Sequence, residues 1–327
     1  MAGHRGFLRF LALGLGLTLV GVPVPVRADG FDDWLLSVRR EARAHGVSEA
    51  TVDAAFVNLR PIPDVIDKER HQPELTMTFA QYLAKVVTDD RVQRGRALLA
   101  DYRPVLLKVQ ASFGVQPRFI VALWALESDY GRITGGYPVV GALATLAYSG
   151  SRKSMFRHEL LDALQILDEK DITLAGMTGS WAGAMGQCQF MPSSFRRFAV
   201  DFDGSGRRDI WTNEADVFAS IANYLTGLHW RPGETWGREV HLPQGLGGKL
   251  AGLTKARTLS EWKRVGLHNL DGSDLPALPI SAALVTPDGP NGSAYLVYAN
   301  YEVVMKWNHS TYFATSVGLL ADRIGGD

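Results

Sequence analysis

Glu127 is the residue whose type and placement most clearly suggest chemistry. The segment Val115-Gln116-Pro117-Arg118-Phe119-Ile120 opens a helix, with Pro117 suited to its first turn. Ile120, Leu123, Trp124 and Glu127 then follow at the i, i+3, i+4, i+7 spacing, which puts Glu127 on the apolar face near the end of that helix. Gly131 ends the helix, so the carboxyl group is expected at the lip of a cavity, while Asp129 points elsewhere. A poorly solvated carboxyl beside Trp124 and Tyr130 should have a raised pKa, as a general acid working near neutrality requires. The spacing alone leaves open a plainer alternative, a buried glutamate satisfied by an arginine.

Two further segments carry groups that could act on a ligand. Trp181-Ala182-Gly183-Ala184-Met185-Gly186-Gln187-Cys188-Gln189-Phe190-Met191-Pro192-Ser193-Ser194 places small residues where a helix or a ligand could come close, with Gln189 polar among apolar neighbours. Asp201-Phe202-Asp203-Gly204-Ser205-Gly206-Arg207-Arg208-Asp209-Ile210-Trp211-Thr212 has the layout of an EF-hand loop. Asp201, Asp203, Ser205 and Asp209 take positions 1, 3, 5 and 9, Arg207 takes the carbonyl position 7, and glycine stands at 6. Thr212 occupies position 12, where a bidentate carboxylate belongs, so a weak calcium site or none is expected. A tight turn capped by Asp201 explains the same residues.

Glu127-Ser128-Asp129-Tyr130-Gly131, Gly183-Ala184-Met185-Gly186 through Gln189-Phe190-Met191-Pro192, Ala222-Asn223-Tyr224-Leu225, and Asn300-Tyr301 through Trp307-Asn308 occur in this order over nearly the whole chain. Together they resemble the lytic murein transglycosylases, in particular the branch of the membrane-bound transglycosylase B. The resemblance implies a lysozyme-like core and a nonhydrolytic cut of the β-1,4 bond between N-acetylmuramic acid and N-acetylglucosamine, giving 1,6-anhydro products. Glu127 matches the catalytic glutamate, acting first as acid and then as base. Water is not the nucleophile in that reaction, so no second carboxylate is needed to activate it. Ser180, Gln189 and Tyr224 stand where the family holds the sugar and the glutamate. Arg152 and Lys153 match a basic pair that faces the peptide stem, with Lys153 in place of an arginine; an ordinary solvated loop is the alternative. Asn308 is a further expected substrate contact. Relatives that bind calcium in the acid-rich loop carry an acid where this chain has Thr212. No cofactor is required, and glycan strands of peptidoglycan are the expected partner. A lysozyme-type hydrolase, with Asp129 as the only nearby second acid, and a catalytically silent peptidoglycan binder are the competing readings.

Composition agrees with work outside the membrane. His4, Arg5 and Arg9, an apolar run from Phe10 to Val22, and Val26-Arg27-Ala28 read as a secretory leader cut after Ala28. The run is too short and too interrupted by Pro23 and Pro25 for a span, so a soluble periplasmic protein with no membrane span is expected. Without Arg5, Arg9 and Arg27 the chain keeps 31 basic against 34 acidic residues, a net charge of −3 that gives no reason to expect nucleic acid. The single cysteine, Cys188, cannot form an internal disulfide. A monomer is expected.

The elements that must position these groups are mainly helical. Phe31, Trp34, Leu35 and Val38 share a helix face, and Val47-Ser48-Glu49 starts a second helix. Residues 57 to 78, with Pro61, Pro63 and Pro73, read as an extended crossing. A helical core is expected over about 93–230. From 231 to 250 seven glycines and prolines change the texture, and a small mixed α/β part is expected over about 231–309. Within it Ala294–Tyr298 and Tyr301–Trp307 look like two strands joined by a turn at Asn300. A closing helix is expected over about 310–324. The fold class is therefore mainly α (α+β), and residues 29–327 form the transglycosylase domain after the leader 1–28.

Overall fold

The computed structural model describes residues 28–70, 77–243 and 245–326, so residues 1–27 of the expected leader, and Pro73, lie outside the described residues. The chain forms two compact units, one of residues 28–70 and 127–221, the other of 77–126 and 222–326. Among the described residues the chain passes from one to the other inside two continuous helices, Pro117–Ser128 and Glu214–Gly227. No helix among the described residues is long and apolar enough to cross a membrane.

In the unit that holds Glu127, the helix Val139–Ser149 is buried from Val139 through Ala147, as a helix apolar on every side must be. It packs along Lys153–Asp168, which presents Phe156, Leu160 and Leu164 inward. Phe31 and Trp34 of the helix Ala28–Ala44 close over Tyr148, with ring centroids 5.1 and 5.6 Å away. Ser48 caps the helix Glu49–Phe56 through the Thr51 amide, and the hydroxyls of both residues donate to Asp168 at 2.5 and 2.7 Å. The expected extended crossing is partly wrong. Pro63–Arg70 is a helix, because a proline at the first position loses no hydrogen bond there and starts the helix instead of breaking it. A two-residue antiparallel ladder joins Tyr137–Pro138 to Thr178–Gly179.

The other unit contains a five-stranded antiparallel sheet in the order Gly252–Thr258, Ser281–Val285, Ala294–Val297, Gly237–His241, His268–Asn269. Trp262, from the helix Leu259–Arg264, fills its core with Leu284 and Leu296 and donates its indole N–H to the Ala282 carbonyl at 2.8 Å. Ala294–Val297 is a strand, but Tyr301–Trp307 is not: Ala299–Trp307 is a helix. Its Tyr301 donates to or accepts from Thr315 at 3.1 Å on the helix Thr311–Gly325, whose N-cap is Ser310. Packing on that helix overrides the strand preference of the aromatic and β-branched residues. Asn300 makes no hairpin turn; it accepts from Arg231 N and donates to the carbonyls of Arg231 and Glu234.

Candidate active site

The helix Pro117–Ser128 is buried from Phe119 through Ala125, and half-buried Glu127 stands one residue before its end. Asp129, Tyr130 and Gly131 then turn left-handed in succession, at φ 51°, 60° and 79°. Two non-glycine residues in that region cost about 1–2 kcal/mol each and persist only where neighbours hold them. Ser128 is the clamp. Its buried hydroxyl donates to the Gln187 carbonyl at 2.7 Å and accepts the Gly131 amide at 3.0 Å, while its own carbonyl accepts from Ile133 N at 2.8 Å. The Asp129 carboxylate is paired with Arg132.

The segment from Thr178 to Pro192 is a folded-back turn rather than a helix, tied by single bridges of Met185 to Gly179 and to Phe190. What its small residues admit is the chain's own backbone. At Gly186, φ 59°, a Cβ atom would sit 2.6 Å from the Ile210 carbonyl oxygen. Ser180 Oγ accepts from Ala184 N at 3.0 Å, and Gln189, itself at φ 50°, donates its side-chain amide to the carbonyls of Thr134 at 3.0 Å and Gly186 at 2.9 Å. Burial pushes the Cys188 thiol well up, and the negative charges of Glu127 and Asp216 push it further. Ser128, the residue after Glu127, is thus bonded to the segment that carries Ser180 and Gln189.

Arg152 stands at the N-cap of the helix Lys153–Asp168 in the same unit, its guanidinium 5.0 Å over the Phe156 ring. Burial lowers its pKa, and the Glu69 charge opposes that shift. Lys153 is exposed. Tyr224 and Asn308 lie in the other unit. The Tyr224 ring packs on Trp307 at 4.5 Å and its hydroxyl donates to the Lys306 carbonyl at 3.1 Å. Asn308 closes the helix Ala299–Trp307 through its amide to Val304, and its buried Oδ1 meets no hydrogen-bond donor among the described residues.

In the acid-rich loop the Asp201 carboxylate accepts from the amides of Gly204, Ser205 and Gly206 at 2.8 to 3.0 Å. Ser205 Oγ donates to the Arg207 carbonyl at 3.3 Å. Asp209 turns onto Trp211 N, Thr212 N and the Thr212 hydroxyl. The third acid is Asp216, which the twelve-residue pattern misses because it lies in the first turn of the helix Glu214–Gly227. Asp216 is fully buried, accepts from Phe202 N at 2.7 Å and Asp209 N at 2.8 Å, and offers an oxygen within 4.8 Å of those of Asp201 and Asp203. Burial raises its pKa, with the charges of Asp203 and Asp201 adding to the rise. Converging carboxylate oxygens around one buried acid suit a hard divalent cation.

The profile of the transglycosylase SLT domain matches residues 30–322. The chain belongs to the lytic transglycosylase family. It is 30% identical over 260 residues to the membrane-bound lytic murein transglycosylase B of Escherichia coli K12, covering 75% of this chain and 67% of that protein. Crystal structures of SltB3 from Pseudomonas aeruginosa with NAG-NAM-pentapeptide and with NAG-anhNAM-pentapeptide are similar at a TM-score of 0.88 and 42% identity, covering 91% and 90% of this chain and 80% of SltB3. Escherichia coli Slt35 in complex with calcium is similar at a TM-score of 0.75 and 26% identity, covering 89% of this chain and 92% of Slt35. This lytic transglycosylase thus has the lysozyme-like fold class of its relatives, and lytic transglycosylases need no cofactor.

Proposed function

We propose that this transglycosylase cuts the β-1,4 bond between N-acetylmuramic acid and N-acetylglucosamine with Glu127 as its single acid and base. Protonated Glu127 gives its proton to the glycosidic oxygen as the bond to the anomeric carbon breaks. The resulting carboxylate takes the proton of the muramic acid 6-hydroxyl, whose oxygen bonds to the anomeric carbon and closes the 1,6-anhydro ring. Glu127 ends protonated, ready for another turnover. The substrate N-acetyl group and the neutral polar groups of Ser180, Gln189 and Tyr224 would stabilise the oxocarbenium-like state, Arg152 and Lys153 would meet the stem peptide, and Asn308 a sugar.

The observation that carries this reading is the position of half-buried Glu127 at the end of a helix buried from Phe119 through Ala125, directly before the left-handed turn that Ser128 clamps. A relative holds NAG-anhNAM-pentapeptide, a ligand with the anhydro ring. We place the activity in the periplasm after removal of the leader, and a structural calcium ion at Asp201, Asp203 and Asp216. Glu127→Gln tests the assignment: the fold should persist by circular dichroism and cleavage of sacculi should cease. Undiminished turnover by the folded variant would remove Glu127 from the reaction.

A further inference from the structure

Gln187 has no assigned part in the reaction above, yet its backbone N–H and carbonyl and its side-chain Nε2 are all spent on one junction. Its N–H donates to the Ile210 carbonyl at 2.8 Å, its side-chain Nε2 to the Trp211 carbonyl at 3.0 Å, and its own carbonyl accepts the Ser128 hydroxyl at 2.7 Å. The residue is 5% exposed. Its side chain lies flat against the turn that follows Glu127: a Cβ atom on Gly131 would collide with Oε1 and come within 2.7 Å of Cδ. On the far side, residues 209–212 are themselves fixed, with Asp209 N held by Asp216 and the Asp209 carboxylate holding Trp211 N and Thr212 N.

We infer that Gln187 is a positioning residue for Glu127, bracing the left-handed turn after the glutamate against the end of the acid-rich loop. Asp129 and Tyr130 are held in left-handed backbone just after the glutamate, and rigid support from Gln187 keeps the carboxyl aimed at the scissile bond. A misplacement of about 1 Å costs on the order of 100-fold in rate, so the brace acts on the chemical step and not on substrate affinity. The inference rests on Glu127 being the acid, and the two fail separately: Glu127→Gln decides the assignment, whereas variants of Gln187 decide the brace.

The test uses Gln187→Met, which keeps length and loses the donor, and Gln187→Glu, which can donate to the Trp211 carbonyl only when protonated. Steady-state kinetics on soluble glycan fragments should show kcat reduced on the order of 10- to 100-fold in Gln187→Met with KM within about twofold of the wild type. The ratio of Gln187→Glu to wild-type kcat should climb as pH falls through the carboxylate range. A kcat within about twofold of wild type in Gln187→Met, or an effect confined to KM, overturns the inference. If Gln187→Met does not fold, a Gln187→Glu ratio that is flat with pH overturns it instead.

Discussion

Gly131→Ala should separate the cost of an unfavourable backbone from the cost of disturbing Gln187. At φ 79° an alanine costs about 1–2 kcal/mol, as any L-residue does in the left-handed region. The new Cβ atom also runs into the end of the Gln187 side chain. Glutamine is flexible enough to rotate away, but doing so breaks its bond to the Trp211 carbonyl and leaves buried polar groups unmade, a further cost of about 1–3 kcal/mol. The total is about 2–5 kcal/mol. Gly46→Ala is the matched control, because Gly46 sits at φ 88° with nothing within 4 Å of its Cβ position and carries only the backbone cost. Thermal unfolding of both variants by circular dichroism should put Gly131→Ala roughly 2–12 °C below Gly46→Ala, the further 1–3 kcal/mol at about 2–4 °C per kcal/mol. Turnover should fall in Gly131→Ala alone. Equal melting temperatures in the two variants would refute the reasoning, since the glutamine would then yield without cost.

Calcium should raise the melting temperature relative to chelator, because an ion bound to the folded state alone stabilises it by mass action; Asp216→Asn should abolish that rise. An unchanged wild-type melting temperature would refute the site and restore the expectation drawn from Thr212. Glu159 provides a pH dependence. It is buried against Ser193, whose amide and hydroxyl donate to it at 2.9 and 2.8 Å, and burial raises its pKa in the folded state. The folded protein therefore keeps this proton to higher pH than the unfolded chain does. The stability that comes with it is complete below the ordinary carboxylate pKa and is lost as pH rises through the raised value. Urea unfolding between acid and neutral pH should show a smaller loss in Glu159→Gln than in the wild type; parallel curves would contradict this.

The helix that carries Glu127 was legible because its apolar spacing is unbroken from Ile120, and Gly131 announced the stop. The clamp behind it was not. The Ser128 hydroxyl donates to the Gln187 main-chain carbonyl 59 residues away, and a main-chain acceptor leaves no mark on residue type. Asp216 was hidden for a related reason: an acid in the first turn of a helix reads as an ordinary favourable charge there, and only folding carries it back to Asp201 and Asp203. The strand reading of Tyr301–Trp307 came from residue preferences that tertiary packing reversed, whereas Ala294–Val297, with the same texture, is a strand because it has sheet partners on both sides. Sequence order also conceals the two units, since the chain changes unit within continuous helices.

In the proposed reaction the attacking oxygen comes from the sugar and not from water, so that one glutamate would suffice. Digestion of purified sacculi in water enriched in oxygen-18, with mass spectrometry of the released muropeptides, tests it directly. Attack by the 6-hydroxyl gives 1,6-anhydro products that carry no label. Products with labelled reducing ends would contradict it and make the enzyme a hydrolase.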